Sequence, residues 1–251
     1  SQQNPSVAMD SAGDFVVAWT SNNQIGINQD GDGDGIYAKR YIASAIDKTL
    51  TPGSEFLVNT YTTGNQKNAS VAMDSMGDFV VAWQSYNQIG INQDGSRYGV
   101  YAQRYTSATT LTTQGSEFHV NTYTTGDQRN ASVAMDSAGD FVVAWQSYQE
   151  GPGSGDGVYA QRYTSATTLT TQGSEFHVNT YTTGDQVTPS VAMDGAGDFV
   201  VSWVDSSYNA GIFTKRYSSA GAQQGTGDNL VKQGDVQYTT RNSSGLLNNN
   251  E

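Results

Sequence analysis

Cysteine is absent from this chain of 251 residues, so it forms no disulfide, carries no thiolate nucleophile and offers no sulfur ligand to a metal. Basic residues are scarce: 12 Lys and Arg stand against 24 Asp and Glu, a formal charge of -12. A surface of that sign is repelled by phosphate, which argues against nucleic acid as a partner and against binding to an anionic membrane. Long apolar runs are missing too. The longest, 15–19 and its copies, is far too short to insert in a bilayer, and no charged-then-apolar leader precedes it. Helix is disfavoured because Gly and β-branched residues are frequent and no window keeps a 3.6-residue period.

What is present is repetition. Residues 5–19 return, slightly edited, at 69–83, 131–145 and 189–203, and residues 99–128 match 157–186 without a substitution. A period of about 60 residues marks a repeat architecture, in which recurring residues serve packing and departures mark specialisation. The expected organisation is one four-repeat β domain over 1–241, with units near 5–68, 69–130, 131–188 and 189–241. Residues 242–251 follow as a polar, solvated tail. Beginning at Ser1 within the first repeat suggests a processed or excised piece. The Thr, Asn and Gly content without Cys suggests an exported protein at the bacterial surface or outside the cell.

Each unit carries four short runs of strand type between Gly, Asp, Ser or Asn clusters. In the second they are 70–73, 79–84, 100–105 and 117–120. The first two are joined by Asp74-Ser75-Met76-Gly77-Asp78, in which Gly can take a positive φ and Asp can cap turn amides. In the strand that follows, Phe79, Val81 and Trp83 alternate with Val80 and Ala82, so both faces are apolar and both must be covered. The fourth run alternates Phe118 and Val120 with Glu117 and His119, the pattern of a strand with one wet face. Inner strands buried on both sides and a wetter outer strand resemble a β-propeller of four antiparallel four-stranded blades, without the Trp-Asp or kelch signatures. A string of small β-sandwich repeats is the structural alternative.

The recurring polar residues are expected to be structural. The pair Asp10/Asp14 and its copies at 74/78, 136/140 and 194/198 suit a hairpin turn. That segment resembles the Asp-box of sialidase propellers, with one residue more between Asp and Gly, and the resemblance implies a structural role. Arg40, Arg104, Arg162 and Arg216 are expected to pair with a recurrent acid, such as the equivalents of Glu117, or to lie along an aromatic face. His119 and His177 are replaced by Leu57 in the first unit and are placed on the wet face of the outer strand.

The non-recurrent residues carry the functional candidates. Asp30, Asp32 and Asp34 alternate with Gly and could converge on a hard cation. The loop resembles the calcium loops of FG-GAP blades, which implies bound Ca2+, although the further acidic ligand near Ala38 is lacking. The loop between the second and third strands changes length from unit to unit and shares a rim with the connection between blades. It presents Tyr86, Tyr148 and Tyr208 with Asn87, Asn92 and Asp94, rings beside amides and carboxylates that suit a sugar's apolar face and hydroxyls. The expectation is a non-catalytic extracellular binding or adhesion module whose partner is a glycan or another cell-surface component. A structural or self-associating repeat element is the alternative. No catalytic residue is expected, because no non-recurrent nucleophile or acid/base set stands out.

Overall fold

The computed structural model describes residues 1–22, 33–47, 49–86, 97–107, 110–149, 155–206, 211–230, 239–241 and 247–249. Among them there are strands and turns and no helix. The first sheet holds β1 (Gln2–Met9), β2 (Phe15–Asn22), β3 (Asp34–Ala43), β4 (Leu50–Pro52) and β5 (Phe56–Leu57). The second holds β6 (Gln66–Met73), β7 (Phe79–Tyr86), β8 (Tyr98–Thr106), β9 (Thr112–Thr113) and β10 (Phe118–His119). The third is built from β11 (Gln128–Met135), β12 (Phe141–Ser147), β13 (Gly157–Tyr163) and β14 (Phe176–His177). The fourth contains β15 (Gln186–Met193), β16 (Phe199–Asp205), β17 (Gly211–Tyr217), β18 (Gln223–Leu230), β19 (Thr239–Arg241) and β20 (Leu247–Asn249). All four are antiparallel meanders, with the outer edge shared by β4 and β5 on β3 and by β9 and β10 on β8, so each is a blade of propeller type. β20 pairs with β19, which places 247–249, within the expected polar tail, at the edge of the fourth sheet.

The first strand of each blade starts upstream of the run seen in sequence. In the second it begins at Gln66 rather than Ser70, because the ladder with β7 continues across an irregularity between Lys67 and Ser70. Asn68 sits there at φ 57, matched by Asn4, Asn130 and Thr188 at φ 49, 54 and 49. Asn tolerates the left-handed region through local hydrogen bonding; Thr is β-branched and is strained in it.

The hairpin turns behave as their residues demand. The Asp10 carboxylate accepts from the backbone N–H groups of Ala12, Gly13 and Asp14 at 2.8, 2.9 and 3.0 Å, while Gly13 takes φ 95. The second Asp works at longer range. Asp14 Oδ1 accepts from Ala43 N–H at 2.8 Å, and Asp78, Asp140 and Asp198 receive Ser107, Ser165 and Ser219 in the same way. Its other oxygen pairs with Arg40 at 3.0 Å, so the recurrent acid that meets Arg40 is the turn Asp and not an equivalent of Glu117. Each Arg also spans a junction: Arg40, Arg104 and Arg162 donate to the carbonyls of Ser107, Ala166 and Ser219 in the next blade.

Consecutive blades share three apolar cores. Val16, Ala18, Ile36, Ala38 and Val58 of the first blade meet Val71, Met73, Phe79, Val81, Trp83 and Tyr105 of the second. Val80, Ala82, Val100 and Ala102, on the far face of the second, meet Val133, Phe141, Val143 and Trp145 of the third, and the pattern repeats into the fourth. The two-sided strand read in sequence is therefore buried on both sides, by different neighbours. Rings lock each junction: Tyr105, Tyr163 and Tyr217 stack on Phe79, Phe141 and Phe199 of their own blades at 4.8 Å. Phe56, Phe118 and Phe176 of the preceding outer strands tilt against the same Tyr rings at 5.3, 5.4 and 5.3 Å.

The outer strand is drier than its alternation suggested, because the neighbouring blade covers it. Glu117 Oε2 accepts the N–H and hydroxyl of Thr60 at 2.6 and 2.8 Å, and Glu175 does the same for Thr122. In the fourth blade Asp228 replaces this Glu and receives the N–H groups of Thr180 and Tyr181. There Lys215 stands where Gln103 and Gln161 stand in the second and third blades. It pairs with Asp228 at 3.1 Å, with both side chains almost fully buried. Burial pushes the Lys215 ammonium below its ordinary pKa, and the Asp228 charge opposes the shift.

Two outcomes test this account. Thr188→Asn, which relieves the left-handed Thr, raises stability by about 0.5–1 kcal/mol, read as a thermal midpoint higher by roughly 1–4 °C. Asp228→Asn strands a buried ammonium and costs about 3–5 kcal/mol in denaturant unfolding, whereas the double change with Lys215→Met loses much less.

Candidate functional site

Strand direction places the ends of β2, β7, β12 and β16 on the same rim as the connections that enter each blade. The backbone joins the two at one point per blade: Tyr86 N–H donates to Asn65 O, Tyr148 N–H to Asp127 O and Ser206 N–H to Asp185 O, at 2.9, 3.1 and 2.9 Å. The shared rim expected from the sequence is therefore built by hydrogen bonds.

Between the second and third blades this rim carries a cavity of about 510 Å³, lined by Arg97, Thr125, Gly126, Asp127, Arg129 and Tyr148. Tyr148 is 53% exposed, so its ring offers a face to a ligand. The connection runs close against it. Gly126 sits at φ 79, and a Cβ there would stand 3.2 Å from Tyr148 Cβ and Cδ1, so both the conformation and the space call for Gly. Asp127 is shared between Arg97 and Arg129, each at 3.6 Å, and Arg129 also reaches Asp156 at 3.5 Å. Asp156 is held by Gln146 Nε2 at 2.8 Å; burial raises its pKa and the Arg129 charge opposes the rise. The cavity thus presents an aromatic face, two guanidinium groups and a carboxylate in fixed relation.

Of the residues singled out in sequence, Tyr148 is in this cavity. Tyr86 lies on the rim, 38% exposed, with its ring against Tyr98 at 4.9 Å. Tyr208, Asn87, Asn92 and Asp94 lie outside the described residues, as do Asp30 and Asp32. Asp34 is described and is engaged: Asn22 donates to Oδ1 at 2.6 Å and Lys67 pairs with Oδ2 at 2.8 Å. That bond raises the Lys67 pKa, so the Asp34 charge is already balanced by a cation of the protein. Among the described residues no group of three or more His, Asp or Glu is placed to hold a metal ion.

Arg97, Asp127 and Arg129 were missed in sequence. The signal for the two Arg residues was that bases are rare in this chain, Arg129 standing where the other units have Gln3, Lys67 and Val187; Asp127 recurs as Asp185 and carried no such signal.

A larger cavity, about 620 Å³, opens at the opposite end of the first junction, beside Ile42, Phe56, Leu57 and Leu111. Gly53 donates its N–H to Arg40 O there, as Gln114 and Gln172 do to Arg104 and Arg162, and lacks the side chain that those residues place against the Arg. Its lining is mainly apolar, and its Arg40 is held by Asp14 and the Ser107 carbonyl, so it suits a polyol less than the rim does.

The histidines are not on a wet face. His119 stacks on Tyr101 at 4.8 Å and His177 on Tyr159 at 4.7 Å. Burial pushes the His119 pKa down to about 4, with the Asn121 hydrogen bond opposing the shift.

No family model and no curated protein matches the chain. Solved structures do match. A protein of unknown function from Dyadobacter fermentans DSM 18053 superposes with a TM-score of 0.59 at 17% identity, over 96% of this chain and 72% of that one. The Penicillium chrysogenum α-L-arabinanase complexed with arabinobiose gives a TM-score of 0.52 at 13% identity, over 95% of this chain and 77% of its own. A GH43 endo-arabinanase from Bacillus licheniformis gives 0.47 at 12% identity, over 95% and 82%. The shared architecture is the β-propeller. At these identities the likeness is one of fold. It corrects one expectation, that the chain is non-catalytic: an arabinanase is built on this architecture, so the lack of a visible non-recurrent nucleophile or acid/base set in the sequence does not exclude catalysis.

The histidine environment sets a pH dependence. The unfolded His119 titrates near its ordinary value of 6.5 and the folded one near 4, so between these values the unfolded chain binds more protons and stability falls as pH falls. His119→Leu, which copies Leu57, removes this contribution. Its unfolding midpoint relative to the parent is expected to rise on going from about pH 7.5 to about pH 4.5.

Proposed function

We propose that the chain recognises carbohydrate through the rim cavity between its second and third blades, as an extracellular or cell-surface protein. The observation that carries this reading is the exposed Tyr148 ring beside Arg97, Asp127 and Arg129. A pyranose or furanose offers apolar C–H faces that stack on an aromatic ring, and hydroxyls that need donors and acceptors in fixed directions. The guanidinium groups donate, Asp127 accepts, and the Arg129 to Asp156 to Gln146 chain holds Arg129 in place. The likeness in fold to an arabinanase supports a sugar over other polar ligands, and Arg97, 62% exposed, leaves the cavity open to a carboxylated sugar as well.

The test is binding to an array of neutral and acidic glycans, followed by titration of the best ligand and analysis of the mixture for released sugar. Tyr148→Ala is expected to weaken binding at least about tenfold, equivalent to roughly 1.4 kcal/mol, with the thermal midpoint unchanged. Binding that survives both Tyr148→Ala and Arg97→Ala at parental strength overturns the assignment. Release of product from a bound glycan would show that the rim is also catalytic.

A further inference from the structure

Four blades make three junctions, and the two end faces carry the same residues that are buried in between. On the first blade, Val7 and Met9 are both 65% exposed, while their counterparts Val71 and Met73 are 6% and 9% exposed. Phe15, Val17 and Trp19 on the same face are partly exposed, while Phe79, Val81 and Trp83 are at most 1% exposed. On the fourth blade, Val200 and Ile212 are 37% and 48% exposed, while Val16, Val80, Ile36 and Val100 are fully buried. Among the described residues, the first blade shows an aromatic face with no aliphatic face on it, and the fourth an aliphatic face with no aromatic face on it.

We infer that these two faces bind each other between copies, so that the chain associates head to tail. The occupant is argued from the three internal junctions, which show three times what covers each face. Polar register points the same way. Val71, Val133 and Val191 N–H donate to the Ser6, Ser70 and Ser132 hydroxyls of the preceding blade, each at 3.1 Å. The next hydroxyl in that series is Ser190 on the fourth blade, and the N–H that fits it is that of Val7 in a second copy. Arg216 extends the series of Arg40, Arg104 and Arg162, each of which donates to a carbonyl of the next blade. Its side chain is 64% exposed and holds Asp198 at 3.4 Å, as Arg40 holds Asp14.

The contact between copies is weaker than an internal junction, for reasons visible in the fourth blade. Ser202 and Thr214 replace the buried Ala pairs 18/38, 82/102 and 144/160. Val204 replaces Thr20, Gln84 and Gln146, whose oxygens accept the N–H of Asn68, Asn130 and Thr188. A face softened in this way gives reversible association. The contact joins two different surfaces, so it builds closed rings or open chains of copies.

Sedimentation of the 251-residue chain from about 5 to about 500 μM is expected to show a mass that rises with concentration. Val7→Glu with Met9→Glu blocks the first face, and Val200→Glu with Ile212→Glu blocks the last. All four side chains are exposed, so both variants are expected to keep the parental thermal midpoint. Each alone stays monomeric. Mixed in equal amounts, they form a dimer of one of each and nothing larger, because each supplies the face that the other has lost. A parental chain that remains monomeric across the range overturns the inference and favours a further blade of the same ring as the natural cover. Association that either variant retains, or a mixture that stays monomeric, overturns it as well.

Discussion

The molecule rests on the junction between two unlike faces of consecutive sheets. Phe, Val and Trp from the second strand of one blade, with a Tyr from its third, press on Val, Ile and Ala of the blade before it. Burying each such large side chain contributes about 1.5–3 kcal/mol, so a sheet with two apolar faces is stable only between neighbours. Because the faces differ, the array has a direction. Bulky rings on one side need small Ala side chains on the other, and the order of blades follows from that complementarity of size.

Many of the carboxylates serve this arrangement, which explains how so acidic a chain can use its charge structurally. The first Asp of each hairpin satisfies turn amides, and the second ties down the loop after the third strand. Glu117, Glu175 and Asp228 reach into the preceding blade and satisfy the backbone of its outgoing connection. At the last junction a shorter acid faces Lys215 in place of Gln, so a positive charge enters the core together with the group that balances it. The cost of burying either charge alone makes these two changes one event.

Against this repeated background the rim between the second and third blades differs in carrying two guanidinium groups, with Arg129 in the place that Lys67 takes one blade earlier. Arg97 and Arg129 come from two blades and meet over Asp127, with Tyr148 closing the side of the cavity. A propeller gives such a site firm walls at little cost, since its backbone is held by the junction while the rim residues are free to vary. That division lets one architecture carry sugar-processing enzymes and other functions on its loops.

Much of the fold was legible in the chain. The two-residue alternation of 79–83 announced burial on both sides, and the Asp and Gly of each turn announced a hairpin, because strand pattern and turn chemistry act over a few residues. The rim aromatics Tyr86 and Tyr148 were legible because they open the loop whose length changes from unit to unit. The partners of Arg40 and Glu117 were not, nor was the stacking of His119 on Tyr101. Arg40 meets the carbonyl of Ser107 from the next blade, and Glu117 meets Thr60 from the preceding one, across separations that no local period encodes. The amino-acid sequence by itself determined the strands, their hairpins and the two apolar faces of every blade. Only the tertiary structure decided which blade covers which face and which charges meet at the rim, because those contacts exist only once neighbouring sheets have stacked.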